Sequence, residues 1–188
     1  MQHYNAGAVI RAILALGNLL FCCSAHGQQR SDPEVLTCGT VTNARIGQAG
    51  VKYTGTVSND DYRLEVTIPG GLTGLGANPH APFHGFTIFL NESACIAFEI
   101  EHIVPLSDEV PRADGRGQRR IKVGGRDAIE ESRIGAVLGT KYVNVQVHLE
   151  LDRQGYQNGL WIYLITPFEQ RGAAERVFQS FLASFRFW

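Results

Sequence analysis

Residues 143–185 constrain the fold of this 188-residue chain more than any other stretch. Val143, Val145, Val147, Leu149 and Leu151 are apolar, and Asn144, Gln146, His148, Glu150 and Asp152 alternate with them. A period of two places alternate side chains on opposite faces, so the spacing predicts a half-buried strand with one wet face. Gly155 and the pair Asn158-Gly159 accept positive φ, and the run 160–165 that follows is almost wholly apolar, which predicts a hairpin into a more central strand. At Thr166-Pro167-Phe168-Glu169 the pattern is that of a helix start, with Thr166 as N-cap, Pro167 at the first helical position and Glu169 at the third. Ala173, Ala174, Val177, Phe178, Phe181, Leu182 and Phe185 then recur at helical spacing, opposite Glu175, Arg176 and Gln179. A helix with one apolar face must bury it, and the preceding strands supply the sheet to bury it on. The expected class is α+β, a mainly antiparallel twisted sheet covered by a C-terminal amphipathic helix.

The other end of the chain reads as a targeting segment. Residues 1–27 carry Arg11 and no acid, then an apolar run over 12–21, then the small residues Ser24, Ala25 and Gly27. This predicts a secretory signal cleaved after Ala25 or Gly27. A membrane span is the competing reading, but Gly17 and Asn18 interrupt a run already shorter than the roughly 20 apolar residues a span needs. Cys22 and Cys23 are poor lipidation sites, because bulky Phe21 precedes them. The expected organisation is a signal at 1–27, a polar leader at 28–34 and a single domain over 35–188, with no transmembrane span in the mature protein.

Cleavage removes one of 17 Lys+Arg and none of 18 Asp+Glu, leaving 16 against 18. A nearly neutral protein is a poor partner for nucleic acid. Cys38 and Cys95 survive cleavage, and an oxidising compartment favours a disulfide between them, with two buried thiols as the alternative.

Strands are expected over 50–57 and at Tyr62, Leu64, Val66 and Ile68, and a hairpin over 85–90 and 94–103. Its turn, Asn91-Glu92-Ser93, is also a glycosylation sequon. Ile96, Phe98 and Ile100 face one way, and Cys95, Ala97, Glu99 and Glu101 the other. Glu99 and Glu101 lie about 7 Å apart, close enough for acid/base work, although alternation in an antiparallel strand also yields a solvated face. Arg119, Arg120, Lys122 and Arg126 form a basic concentration that acids at 108–114 offset, which favours a solvated surface over an anion site. Residues 121–123 read as a short strand, Gly124-Gly125 as a turn, and 126–138 as an extended segment with a helix as the alternative.

His80 and His84 lie in a glycine- and proline-rich loop over 70–85 and are low-ranking metal candidates, since Pro82 opposes the helix that would put both on one face. Gly70, Gly71, Gly74 and Gly76 lack the lysine and helix of a phosphate loop. His102 and His148 fall in strands and could as easily be surface residues as functional ones. Gly-x-Ser-x-Gly, His-Glu-x-x-His and Cys-x-x-Cys are missing from the sequence, so no catalytic or cofactor-binding residue is assigned and no cofactor is expected.

The strand ending Ile68-Pro69-Gly70-Gly71, the segment Val123-Gly124-Gly125-Arg126-Asp127-Ala128, and a closing hairpin and helix ending Phe181-Leu182-Ala183-Ser184-Phe185 together resemble the Mog1/PsbP-like group of α/β/α sandwich proteins. The resemblance covers most of the mature chain. It implies a protein that acts by binding partners, with no catalytic motif carried over. The expected function is therefore that of an exported, non-enzymatic binding or accessory protein with an unknown protein or small-molecule partner. The competing expectation is an envelope hydrolase or metal-dependent enzyme using the His80 to His84 loop with Glu99 or Glu101.

Overall fold

The computed structural model describes residues 35–40, 51–76, 85–102, 117–153 and 156–188, all within the compact unit Val35–Trp188. The segments 1–27 and 28–34 and the loop holding His80 and His84 lie outside the described residues. The described residues contain eleven strands: β1 Val51–Tyr53, β2 Thr56–Asn59, β3 Leu64–Thr67, β4 Gly74–Gly76, β5 Gly85–Phe89, β6 Cys95–His102, β7 Gln118–Val123, β8 Arg126–Val137, β9 Thr140–Arg153, β10 Tyr156–Pro167 and β11 Arg186–Phe187. A helix, α1, spans Arg171–Ala183 after a single 3-10 turn at Phe168–Gln170. Among the described residues no helix is long and apolar enough to cross a membrane.

Eight strands form one antiparallel sheet in the order β1-β4-β5-β6-β10-β9-β8-β7, and β11-β3-β2 form a small second sheet. The fold is α+β, with the helix on one face of the main sheet. That inner face carries the period-two apolar set of β9, from Val143 at 0% to Leu151 at 2% exposure. Ile162 and Leu164 of β10 and Ile96, Phe98 and Ile100 of β6 join it. Ala174, Phe178, Phe181 and Leu182 close the core from the helix side. Phe181 meets Phe86 and Phe185 edge-on, with centroids 6.2 Å and 5.3 Å away. Such pairs fill volume with favourable quadrupole geometry. Ser184 ties the end of the helix to the small sheet, donating to the Thr67 carbonyl at 3.2 Å and accepting from the Thr67 amide at 3.0 Å.

Three expectations need correction. Thr166 does not cap a helix: it is fully buried, it pairs with Val143, and its hydroxyl reaches only the Pro167 carbonyl, at 3.3 Å. The β9–β10 ladder runs through Pro167, so Thr166 is already committed to the sheet and the chain turns through a 3-10 segment before α1 begins. Residues 50–57 are not one strand, because Gly55 at φ 66° breaks the run and sends β1 to the large sheet and β2 to the small one. The outer face of the large sheet is also not simply wet. Val35–Thr40 crosses it: the Asn144 side chain accepts from the Leu36 amide at 2.7 Å and donates to the Leu36 carbonyl at 3.1 Å, a two-point clamp on the Leu36 backbone. A disulfide joins Cys38 to Cys95 with Cα atoms 5.9 Å apart, and both half-cystines pack with Ile165.

Candidate functional site

Strand register places one row of residues across the outer face, beyond the crossing segment. Trp161 of β10 stands between Glu99 of β6 and His148 of β9, with Gly85 of β5 beyond Glu99 and Ile129 of β8 beyond His148. The neighbouring row holds Thr87, Ala97, Tyr163, Gln146 and Glu131. Cross-strand neighbours on one face stand close enough for rings to meet. His148 and Trp161 stack with centroids 4.0 Å apart, and Tyr163 lies nearly parallel to Trp161 at 6.4 Å. Gly85 sets the floor beside Glu99, because a Cβ there would fall 1.8 Å from the Phe98 carbonyl oxygen. A larger residue would force the strands apart.

His148 is only 6% exposed, which decides against the surface reading that its strand position left open. Stacking on Trp161 and the neighbouring strands remove it from water, and this burial pushes the imidazole below its ordinary pKa. At neutral pH the ring is uncharged. Its Nε2 and the indole Nε1 of Trp161 are both buried and have no hydrogen-bond partner. A buried polar atom without a partner carries a penalty of about 1–3 kcal/mol, so two on adjacent rings mark a place where a partner group would be stabilised. The indole offers a donor, and the neutral imidazole a donor or an acceptor by tautomer. A neutral polar group suits this pair better than a charged one.

The sequence candidates fall around this row rather than forming it. Glu99 is half-buried beside Trp161, and Glu101 pairs with Gly159, across which Glu150 lies. His80 and His84 lie outside the described residues, and among the described residues no three His, Cys, Asp or Glu side chains are placed to hold a metal. Three of the four residues of the basic concentration make other contacts: Arg119 holds Glu130 at 2.6 Å, Lys122 holds Asp127 at 2.8 Å, and Arg126 lies 4.6 Å over the Phe187 ring. Trp161 escaped sequence reasoning because it sits in a nearly continuous apolar run, where period two is masked. The one available signal was its place in a strand paired to a polar-alternating neighbour.

No protein-family profile matches the chain, and no curated sequence matches it. Among solved structures, LpqN of Mycobacterium tuberculosis, a protein involved in cell envelope biogenesis, matches with a TM-score of 0.51 and 12% identity over 82% of this chain and 98% of its own. A protein of Bacteroides thetaiotaomicron VPI-5482 matches with a TM-score of 0.47 and 9% identity over 72% of this chain, which spans 48% of that protein. The likeness to LpqN is one of fold, with strands and helix arranged in a similar α/β layer structure.

Proposed function

We propose that this chain is an exported, non-enzymatic binding or accessory protein of the cell envelope or secreted fraction, and that the His148–Trp161 row is where it holds its partner. The observation that carries the reading is the pair of buried, unpartnered nitrogens on stacked rings. A neutral, desolvated imidazole without a described nucleophile beside it is better suited to hydrogen bonding than to proton transfer. Export is supported by the disulfide, which persists in oxidising compartments, and by the fold shared with an envelope-biogenesis protein. Residues 1–27 then serve as a cleaved signal, 28–34 as a leader and 35–188 as the working domain. The layer order and the closing hairpin and helix favour the Mog1/PsbP-like group, whose members bind partners.

Native mass spectrometry of the protein purified from its own host tests this reading, with Trp161→Phe as the comparison. That substitution keeps a ring for His148 to stack on and removes the indole donor. The expected result is a bound species on the natural protein and a three- to tenfold weaker hold on the variant, about one hydrogen bond's worth, with an unchanged melting temperature. Equal retention by both proteins would sink the site. Turnover of ester or peptide substrates that disappears in a His148 variant would sink the non-enzymatic reading.

A further inference from the structure

The β8–β9 hairpin ends in a turn that is unusual in two independent ways. Val137 pairs with Thr140, so the loop is Leu138-Gly139, with φ of 49° and 83°. Positive φ at both positions is the type I′ arrangement, in which asparagine or glycine is favoured at the first position and a bulky residue is strained. The leucine there is also 102% exposed. A side chain that neither suits the backbone nor contacts the fold contributes nothing to folding that asparagine would not do better.

Leu138 is not alone. Among the described residues the large exposed apolar side chains are Ile134 at 50%, Leu138, Phe168 at 39% and Trp188, and the first three sit at this end of the sheet. Ile134 pairs with Val143, and Phe168 follows directly on Pro167, which pairs with Tyr142. Lys141, on the same face as Ile134, holds its ammonium 4.4 Å from the Phe168 ring centroid. Residues 132–149 contain Arg133 and Lys141 and no acid. Arg133 turns to the other face, where it is paired with Glu131, so Lys141 is the cation that accompanies the apolar tip.

We infer that this tip docks on an anionic lipid bilayer surface. A convex two-residue apex carrying leucine, with isoleucine and an aromatic ring set back from it and a lysine among them, matches the layering of a bilayer boundary. The apex meets acyl chains, the ring the interface, and the ammonium the lipid phosphates. Lys141 gives the tip its complementarity to phosphate-bearing lipid, and the exposed Glu169 next to Phe168 is the acid that limits this attraction. Contact through one leucine and one lysine is weak and reversible, as suits a protein that brings a partner to a membrane rather than residing in it. This surface lies on the described domain itself and does not depend on the occupant of the His148–Trp161 row.

The test uses the full chain with Cys22→Ser and Cys23→Ser, and an environment-sensitive dye on a Thr140→Cys thiol at the tip, with the Leu138→Asn variant separating the tip's own contact from any made by residues 1–27. Vesicles of phosphatidylcholine with about a third phosphatidylglycerol should blue-shift and brighten the dye, and phosphatidylcholine alone should do so less. Leu138→Asn suits the turn and should leave the melting temperature equal or higher, yet raise the lipid concentration needed for the shift about tenfold or more. Lys141→Gln should raise it about fivefold on the anionic vesicles only. The same shift in Leu138→Asn, or none on any vesicle, overturns the inference. A shift produced by protein concentration alone, without lipid, overturns it in favour of a second copy of the chain.

Discussion

Burial governs how His148 responds to pH. Its folded pKa lies below the unfolded value of about 6.5 because desolvation disfavours the imidazolium. Between those two values the unfolded chain binds the extra proton and the native one does not, so stability is complete above about pH 6.5 and falls as pH drops toward the folded value. Chemical denaturation at pH 7 and pH 5 should therefore show a loss in the natural protein that His148→Phe reduces. An equal loss in both would mean that the ring is solvated. Glu131 is held below its ordinary pKa first by its hydrogen bond from Arg133, and Asp127 by Lys122, so these two carboxylates titrate below this window. Asn91 has a second residue-scale role. Its Oδ1 accepts from the Ser93 and Ala94 amides at 2.9 Å and 3.0 Å, closing the β5–β6 turn that its sequon occupies.

At the level of elements, the helix is positioned by its buried face and not by a side-chain cap. Thr166 separates the two ideas. Were it an N-cap, Thr166→Val and Thr166→Ala would each cost about 1 kcal/mol. In the observed sheet position Thr166→Val keeps the shape of the side chain and should change stability by less than Thr166→Ala, which opens a small cavity; calorimetry of the two variants reads the order. Phe181 is fully buried between Phe86 and Phe185, so Phe181→Ala should cost about 3–5 kcal/mol in denaturant unfolding. A loss below about 1 kcal/mol would place the wrong face of α1 on the sheet. The face itself was readable from the sequence, because apolar spacing of three and four repeats whatever the helix packs on. The helix start was not, since Thr-Pro-x-Glu satisfies a local pattern that a long strand ladder can override.

For the whole molecule, the Cys38–Cys95 bond couples the first described segment to the centre of the sheet across a sequence separation of 57. In the chain-entropy model such a loop stabilises by about 4 kcal/mol, so reduction followed by denaturant unfolding should lower stability by that order. Alkylation under denaturing, non-reducing conditions should add no label at Cys38 or Cys95; labelling there without reduction would show free thiols. By itself the sequence determined the α+β class, the core faces of β6, β9 and α1, and the cysteines available for pairing, because periodicity and residue chemistry act over a few neighbours. Only the tertiary structure decided that β10 lies between β6 and β9, that Asn144 clamps Leu36, and that His148 is buried against Trp161. Those facts depend on register between strands distant in sequence, which no local pattern encodes.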